Sequence, residues 1–242
     1  MYGSKGRIGL LVPSSNGVME NELHIMAPKE VGILTSRMGR RDFEKDPSFN
    51  DVDILKKMTD DLENAAEGFS DARLNVVVYG CTSGSFIDGL EGEADIIQRL
   101  KRILPDVPAV TTMKAVLDAL KESEIDKLAI GTPYTDYVNE RLQKLLEGVG
   151  FKIVSIKGYG GIDMEAQYPE FSYNLAKEIY NDEADGILLS CTQIRTIENI
   201  EPLERELGKP VITSNQASLW AALKAIGYTE PIYGYGKLLR NI

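Results

Sequence analysis

Three segments of this chain occur twice, in the same order, and the two copies lie between 102 and 120 residues apart. Each copy ends in polar residues or leads into a predicted helix. The paired segments are 8–16 with 128–136, 78–82 with 188–192, and 108–112 with 210–214. A solenoid would repeat every ~20–50 residues, whereas a domain of ordinary size has about 100 residues or more. The repeat therefore predicts two homologous halves.

Short apolar runs alternate with longer amphipathic stretches. The predicted strands are 8–12, 76–79, 108–110, 128–130, 152–156, 187–189 and 210–212, and the predicted helices include 53–69, 95–104 and 137–149. Continuous apolar strands that alternate with helices form parallel sheets covered on both faces, so we predict an α/β fold. We expect one half to cover 1–107 plus a C-terminal segment and the other 108–225, with the chain crossing between them.

The composition excludes several classes of partner and site. Asp and Glu number 37 against 27 Lys and Arg, a net charge of −10, so we expect neither nucleic acid nor an anionic membrane as a partner. One histidine and two cysteines are too few ligands for a multi-histidine metal site, a zinc finger or an iron–sulfur cluster. No apolar run reaches ~18 residues, so we expect a cytoplasmic protein with reduced thiols.

Both cysteines lie where a repeated strand ends. Cys81 follows the strand at 76–79, Cys191 follows the strand at 187–189, and a threonine comes next in each copy. Ligands bind beyond the carboxyl ends of parallel strands, and a pseudo-twofold relation would place the two thiols on opposite sides of one cleft. A thiol at a helix N-terminus is a competent nucleophile or base. We predict that both are catalytic, with burial as small apolar residues as the alternative.

The same strand ends carry the candidate substrate-binding side chains. Hydroxyl and amide groups beside helix N-termini suit a carboxylate or an enediolate. Ordinary helix capping is the alternative for the Ser, Thr and Asn residues. The candidates are Ser15, Asn16, Thr82, Ser83, Tyr134, Thr192, Gln193 and Asn215.

These motifs together resemble a known family. The segments that carry the resemblance are 13–16, 80–84, 111–113, 132–134 with 137–141, 186–191 and 210–216. They are similar to the aspartate/glutamate racemase superfamily, in the branch of maleate cis–trans isomerase and arylmalonate decarboxylase. The resemblance implies a cofactor-free enzyme with two pseudosymmetric, flavodoxin-like halves and an active site in the cleft between them.

The resemblance also implies roles for individual residues. Cys81 matches the cysteine that adds to the substrate double bond in maleate isomerase-like proteins, and Cys191 matches the acid/base. Asn16 and Tyr134 match the carboxylate-binding Asn and Tyr of those proteins. Residues 82–83, with Tyr134, match the dioxyanion-binding residues of arylmalonate decarboxylase-like proteins.

Some positions depart from the patterns of related branches. Decarboxylases of this type carry glycine in place of Cys81. Amino-acid racemases show Cys-Asn-Thr after both strands, whereas this chain has Cys-Thr-Ser at 81–83 and Cys-Thr-Gln at 191–193. The maleate isomerase pattern has a further asparagine before the second cysteine, and the segment 161–165 contains none.

We therefore predict a cofactor-independent isomerase of a small mono- or dicarboxylate, with maleate isomerase-like cis–trans isomerisation as the leading activity. An aspartate/glutamate-type racemase and an arylmalonate decarboxylase-like enzyme are the enzymatic alternatives. A non-catalytic carboxylate-binding protein is the alternative from another class. A homo-oligomer is compatible with each of these readings.

Overall fold

Two parallel β-sheets form the frame of the molecule. The structure is a computed structural model that describes residues 3–39, 51–161 and 168–242. The strands of the first sheet are β1 (Gly6–Pro13), β2 (Val31–Met38), β3 (Val76–Tyr79) and β4 (Ala109–Thr111). Those of the second are β5 (Lys127–Thr132), β6 (Lys152–Gly158), β7 (Gly186–Leu189) and β8 (Val211–Thr213).

Helices connect the strands in both halves. In the first half they are α1 (Met19–Met26), α2 (Asp51–Asp60), α3 (Leu62–Glu67), α4 (Thr82–Phe86), α5 (Gly89–Ile103) and α6 (Thr112–Glu122). In the second half they are α7 (Asp136–Gly148), α8 (Pro169–Ile179), α9 (Ile200–Leu207), α10 (Ser214–Ala225) and α11 (Gly236–Arg240). Within the described ranges, no helix is long and apolar enough to cross a membrane.

The two sheets have the same topology. The strand orders are β2-β1-β3-β4 and β6-β5-β7-β8, and all neighbouring strands run parallel. This order is that of the first four strands of a flavodoxin-like sheet. The predicted α/β class and the predicted pair of pseudosymmetric parallel sheets are confirmed.

One strand was missed in the sequence, and one predicted helix is divided in two. The strand β2 was not predicted, because it lies at a sheet edge where most of its side chains are partly exposed, and Thr35, Ser36 and Arg37 interrupt its apolar run. The helix predicted at 53–69 is divided at Asp61. The Asp61 carboxylate accepts a hydrogen bond from the Gly39 N–H at 2.5 Å, a contact distant in sequence that periodicity does not show.

The boundary expected at residue 107 also needs correction. β4 follows that boundary, yet it pairs with β3 in the first sheet, so the two sheets divide between β4 and β5. The C-terminal segment touches both halves. Lys5 near the N-terminus forms an ion pair with Glu230, whereas α11 packs on α9 and α10.

The core continues from one half into the other. Along β1, Ile8 and Leu10 face the core shared by both halves, whereas Leu11 faces a separate cluster under α3 and α5. Successive residues of a strand point to opposite faces of the sheet, so the continuous apolar run of β1 is buried on both faces. The shared core is centred on α6 and α10, the helices that follow β4 and β8 and pack against each other.

Gly80 joins β3 to Cys81, and its surroundings leave no room for a side chain. A Cβ atom there would lie 2.8 Å from the Leu11 carbonyl oxygen and 2.8 Å from the Met19 Sδ. We expect Gly80→Ala to lower the free energy of unfolding by about 1–3 kcal/mol, because the backbone of β1 cannot move aside freely. Urea denaturation would measure the loss.

Gly148, at the end of α7, provides the matched control. No described atom outside its own helical turn lies within 4 Å of a Cβ built at this position. We expect Gly148→Ala to leave stability unchanged or to raise it by up to about 1 kcal/mol. An equal loss in both variants would contradict the argument from close packing.

Candidate active site

Cys81 lies two residues after the end of β3 and caps helix α4. Its backbone is extended, with φ −141° and ψ 111°, and its Sγ accepts a hydrogen bond from the Gly84 N–H at 3.4 Å. The Ser83 hydroxyl lies 3.9 Å from the same sulfur. A Cβ on Gly84 would lie 2.5 Å from the Tyr79 hydroxyl, so this close approach requires glycine. Hydrogen bonds donated to a sulfur favour its thiolate form.

Cys191 has the corresponding position after β7. Its Sγ accepts a hydrogen bond from the Gln193 N–H at 3.3 Å, and neither cysteine forms a disulfide. Burial raises the pKa of the Cys191 thiol to about 12, and negative charge at Cys81 contributes to the rise. At neutral pH, Cys191 is therefore a protonated thiol that can donate a proton.

Tyr134 lies near both thiols. Burial raises the pKa of its phenol well above the ordinary value, and charge at Cys191 or Cys81 raises it further. Its ring packs edge-to-face on Phe86, with centroids 6.0 Å apart. Among the described residues, the buried Tyr134 hydroxyl interacts with the Cys191 thiol and the Thr82 side chain, but with neither in good hydrogen-bond geometry. A neutral, buried donor of this kind suits a carboxylate ligand.

Asn16 connects the first half to the segment that follows Cys191. Its Oδ1 accepts hydrogen bonds from the N–H groups of Val18 and Met19, both at 3.0 Å. Asn16 therefore caps the start of α1, as the alternative interpretation of this residue predicted. Its Nδ2 donates to Thr192 Oγ1 at 2.9 Å. Asn16 therefore has two capping hydrogen bonds and one hydrogen bond to the other half, and its second amide hydrogen can serve a ligand.

Thr82 forms a second hydrogen bond between the halves. Its Oγ1 donates to Ser214 Oγ at 2.9 Å, at the start of α10. One turn later, Ser218 Oγ donates to Thr112 Oγ1 at 3.2 Å, at the start of α6. Ser214 and Thr112, the first residues of α10 and α6, therefore each form a hydrogen bond with the opposite half. The bond to Ser214 comes from Thr82, the residue that follows Cys81.

The remaining predicted residues differ in accessibility. Ser83 and Thr192 are buried with the cysteines, whereas Gln193 is partly exposed and Ser15 is exposed. The further asparagine of the maleate isomerase pattern would correspond to the segment 161–165, and residues 162–165 of that segment lie outside the described residues. Among the residues that the structure covers, no three His, Cys, Asp or Glu side chains are grouped as metal ligands would be.

Comparison with known proteins now identifies the family. The family model for arylmalonate decarboxylase matches residues 8–239, nearly the whole chain. The chain belongs to the arylmalonate decarboxylase family.

The chain is also similar to maleate isomerases. The chain is 27% identical over 252 residues to maleate isomerase from Alcaligenes faecalis, covering 98% of this chain and 97% of that protein. It is similar in structure to a cysteine-to-alanine variant of maleate isomerase from Pseudomonas putida S16 with maleate, with a TM-score of 0.86, 24% identity and 98% of each chain covered.

A second solved structure is equally similar. It is a cysteine-to-serine variant of Nocardia farcinica maleate cis–trans isomerase with a covalently bound succinylcysteine intermediate. The TM-score is 0.85 at 24% identity, and 97% of this chain and 98% of that chain are covered. These similarities confirm the fold and the resemblance identified from the motifs.

One buried acid of this arylmalonate decarboxylase family member was not among the predicted site residues. Glu22 is 2% exposed and lies on the buried face of α1, with Met19, Leu23 and Met26 at helical spacing. A carboxylate on an otherwise apolar stripe is the sequence signal that would have indicated it.

The Glu22 carboxylate reaches into the second half. It accepts hydrogen bonds from the Thr196 N–H at 2.5 Å, the Ile197 N–H at 3.2 Å and the Asn215 Nδ2 at 2.6 Å. Asn215 Nδ2 also donates to the Thr192 carbonyl at 3.2 Å. Both donors of Asn215 are thus used within the protein, so Asn215 holds Thr192 instead of offering an N–H to the cleft.

Burial raises the pKa of Glu22 from 4.5 to about 7, although its hydrogen bonds favour the charged form. The folded state therefore binds this proton more tightly than the unfolded state does. The stability that the proton contributes is complete below pH 4.5 and is lost as the pH rises to about 7. Between pH 5 and pH 8, we expect the wild type to lose up to about 2.5 kcal/mol of unfolding free energy that Glu22→Gln does not lose. Urea denaturation at both pH values would measure the difference.

Glu140, an exposed residue of α7, provides the control. The Glu140→Gln variant should follow the pH dependence of the wild type. If Glu22→Gln also followed it, Glu22 would not titrate in the expected range.

Proposed function

We propose that this protein is a cofactor-independent cis–trans isomerase of a small unsaturated dicarboxylate, with maleate as the leading substrate. One observation carries the proposal. Two thiols from opposite halves share a buried site, and their surroundings are unequal. Both sulfurs accept a backbone N–H, but Cys81 also lies beside the Ser83 hydroxyl, whereas Cys191 lies beside the Tyr134 phenol and burial raises its pKa to about 12. This inequality suits a nucleophile paired with a proton donor.

The proposed reaction begins at the double bond. The Cys81 thiolate adds to one olefinic carbon, and the electron pair moves to the neighbouring carbon and its carboxylate. Cys191 gives its proton to that neighbouring carbon, so the former double bond becomes a single bond that can rotate. The Cys191 thiolate then removes a proton from the same carbon, the double bond re-forms in the trans geometry, and Cys81 leaves as a thiolate.

The buried polar residues would hold the carboxylates during rotation. Asn16 has an amide hydrogen available, and the buried Tyr134 hydroxyl lies beside the Cys191 thiol without a hydrogen bond of good geometry among the described residues. At the start of α4, the Ser83 hydroxyl can donate to a carboxylate, whereas the Thr82 hydroxyl already donates to Ser214. We expect Ser15 and Gln193 to contact the substrate from the more exposed side of the site.

The solved relative with a succinylcysteine supports this chemistry, because that adduct joins a four-carbon diacid to a cysteine sulfur. We infer the corresponding adduct at Cys81 in this protein. Reduced thiols are needed for the reaction, so we also infer that the protein works in the cytoplasm.

Decarboxylation of a substituted malonate is the second candidate. The family match favours it, and so does a protonated Cys191 near Tyr134, which could protonate an enediolate. Proton NMR in deuterated water with maleate, substituted malonates, aspartate and glutamate would separate the candidates. Isomerisation, loss of carbon dioxide and α-deuterium exchange give different signals. The proposal requires maleate to yield fumarate faster than any malonate loses carbon dioxide.

Both thiols should be essential. We expect Cys81→Ser and Cys191→Ser each to lose at least ~10²-fold in turnover while remaining folded, because a positioned nucleophile or acid contributes at least this much. In Cys191→Ser, an adduct on Cys81 protonated by water cannot readily lose that proton again, so it should accumulate. Intact-protein and peptide mass spectrometry would detect it. An adduct on Cys191 in Cys81→Ser, with none on Cys81, would reverse the assignment.

Tyr134 should act on substrate binding and on the charged intermediate. A hydrogen bond to a charged group contributes about 1.5–3 kcal/mol, so we expect Tyr134→Phe to lower kcat/KM by roughly 10- to 100-fold. Steady-state kinetics with maleate would measure the change. Tyr233→Phe is the control, because Tyr233 is 71% exposed. Equal activity of both variants would remove Tyr134 from the site.

A further inference from the structure

Helices α1 and α7 occupy corresponding places in the two halves, and each sends one charged side chain into the opposite half. Glu22 of α1 lies nine residues after Pro13. Arg141 of α7 lies eight residues after Pro133, the repeat-related proline. The two side chains therefore lie at similar distances along the chain from repeat-related prolines, although their charges are opposite.

Glu22 contacts the backbone that follows Cys191. The carboxylate accepts hydrogen bonds from the N–H groups of Thr196 and Ile197, which are five and six residues beyond that cysteine. Thr196 Oγ1 adds a longer contact of 3.3 Å. Through Asn215, Glu22 is also linked to the Thr192 carbonyl, one residue from the thiol.

Arg141 contacts the backbone that follows Cys81. Its Nη1 donates to the Ile87 carbonyl at 3.0 Å, six residues beyond that cysteine and at the C-terminal end of α4. Its Nη2 donates to the Tyr137 hydroxyl at 2.7 Å, and its guanidinium lies 4.9 Å from the centroid of the same ring. These contacts with its own helix orient the side chain toward the other half.

The choice of charge follows the polarity of each target. A carboxylate only accepts hydrogen bonds, and Glu22 meets backbone N–H groups. A guanidinium only donates, and Arg141 meets a backbone carbonyl at a helix end. Burying a carboxylate such as Glu22 is costly unless donors surround it. An apolar residue in place of Glu22 would pack equally well, so packing alone does not account for a carboxylate at this position of α1.

We propose that Glu22 and Arg141 are positioning residues, each of which holds the segment behind the cysteine of the opposite half and so sets the place of that thiol in the cleft. The inference rests on the proposed function only in taking the two thiols as the reacting groups. Each residue acts on one cysteine, Glu22 on Cys191 and Arg141 on Cys81.

This pairing can be tested by the reactivity of each thiol. Limiting iodoacetamide at pH 8, followed by peptide mass spectrometry, gives separate alkylation rates for Cys81 and Cys191. We expect Glu22→Gln to change the rate at Cys191 by at least about threefold while the rate at Cys81 stays within about 1.5-fold, as for coupling between residues of one network. Arg141→Met should show the reverse pattern, and Arg141→Lys, which retains a donor, should restore part of it.

The control is His24→Gln, at an exposed position of α1, which should change neither rate. If Glu22→Gln failed to fold, Glu22→Asp would keep the charge and shorten the reach by one methylene, with the same expectation for Cys191. Equal changes at both cysteines would indicate general loosening and overturn the proposal, as would no change at either.

Kinetics provide a second readout. Misplacement of a reacting group lowers kcat more than KM, so we expect both Glu22→Gln and Arg141→Met to lower kcat by about 10- to 100-fold with KM within about twofold. Failure of the unmodified protein to isomerise maleate would refute the proposed function and leave the alkylation test unaffected. Thiol-specific changes in alkylation without any change in kcat would overturn the positioning proposal alone.

Discussion

The hydrogen bond from Asn16 to Thr192 connects the two halves at the candidate site. Thr192 comes directly after Cys191, and its hydroxyl oxygen accepts the hydrogen bond from Asn16. The same hydroxyl lies 3.4 Å from the carbonyl oxygen of Gly80, the residue before Cys81. All of these groups are buried, and a buried polar group without its partner costs about 1–3 kcal/mol. The relative position of the two thiols therefore depends on this contact between the halves.

The repeat produces similar backbones with different side chains around the two thiols, Ser83 beside Cys81 and Tyr134 beside Cys191. Each cysteine follows a buried strand, and each sulfur accepts a backbone N–H, from Gly84 in one half and Gln193 in the other. Burial nevertheless raises the pKa of Cys191 to about 12, in the presence of Cys81 and Tyr134. A pseudosymmetric frame can thus support an asymmetric reaction, because protonation depends on the local surroundings as well as on strand position.

Residues that bridge the halves were the hardest to interpret from sequence. Asn215 was predicted to bind substrate, because it begins a helix after a repeated strand. In the structure its amide instead joins Glu22 to the Thr192 carbonyl. Glu22 itself stands out only as an acid on an apolar helical stripe. The hydrogen-bond partners of Glu22 lie between 174 and 193 residues away, and those of Asn215 lie 23 and 193 residues away, so local patterns do not indicate them.

Local sequence patterns were enough to predict the α/β class, the two halves and the position of both cysteines at strand ends. Continuous apolar runs, turn residues and the repeat are local signals, and they indicate where a strand ends whatever its partner strand is. Long-range packing, in contrast, places β2 at a sheet edge, adds β4 to the first sheet, and brings Glu22 and Asn16 to the opposite half. Strand pairing and buried hydrogen bonds depend on which distant segments meet, and that is settled only when both sheets pack around α6 and α10.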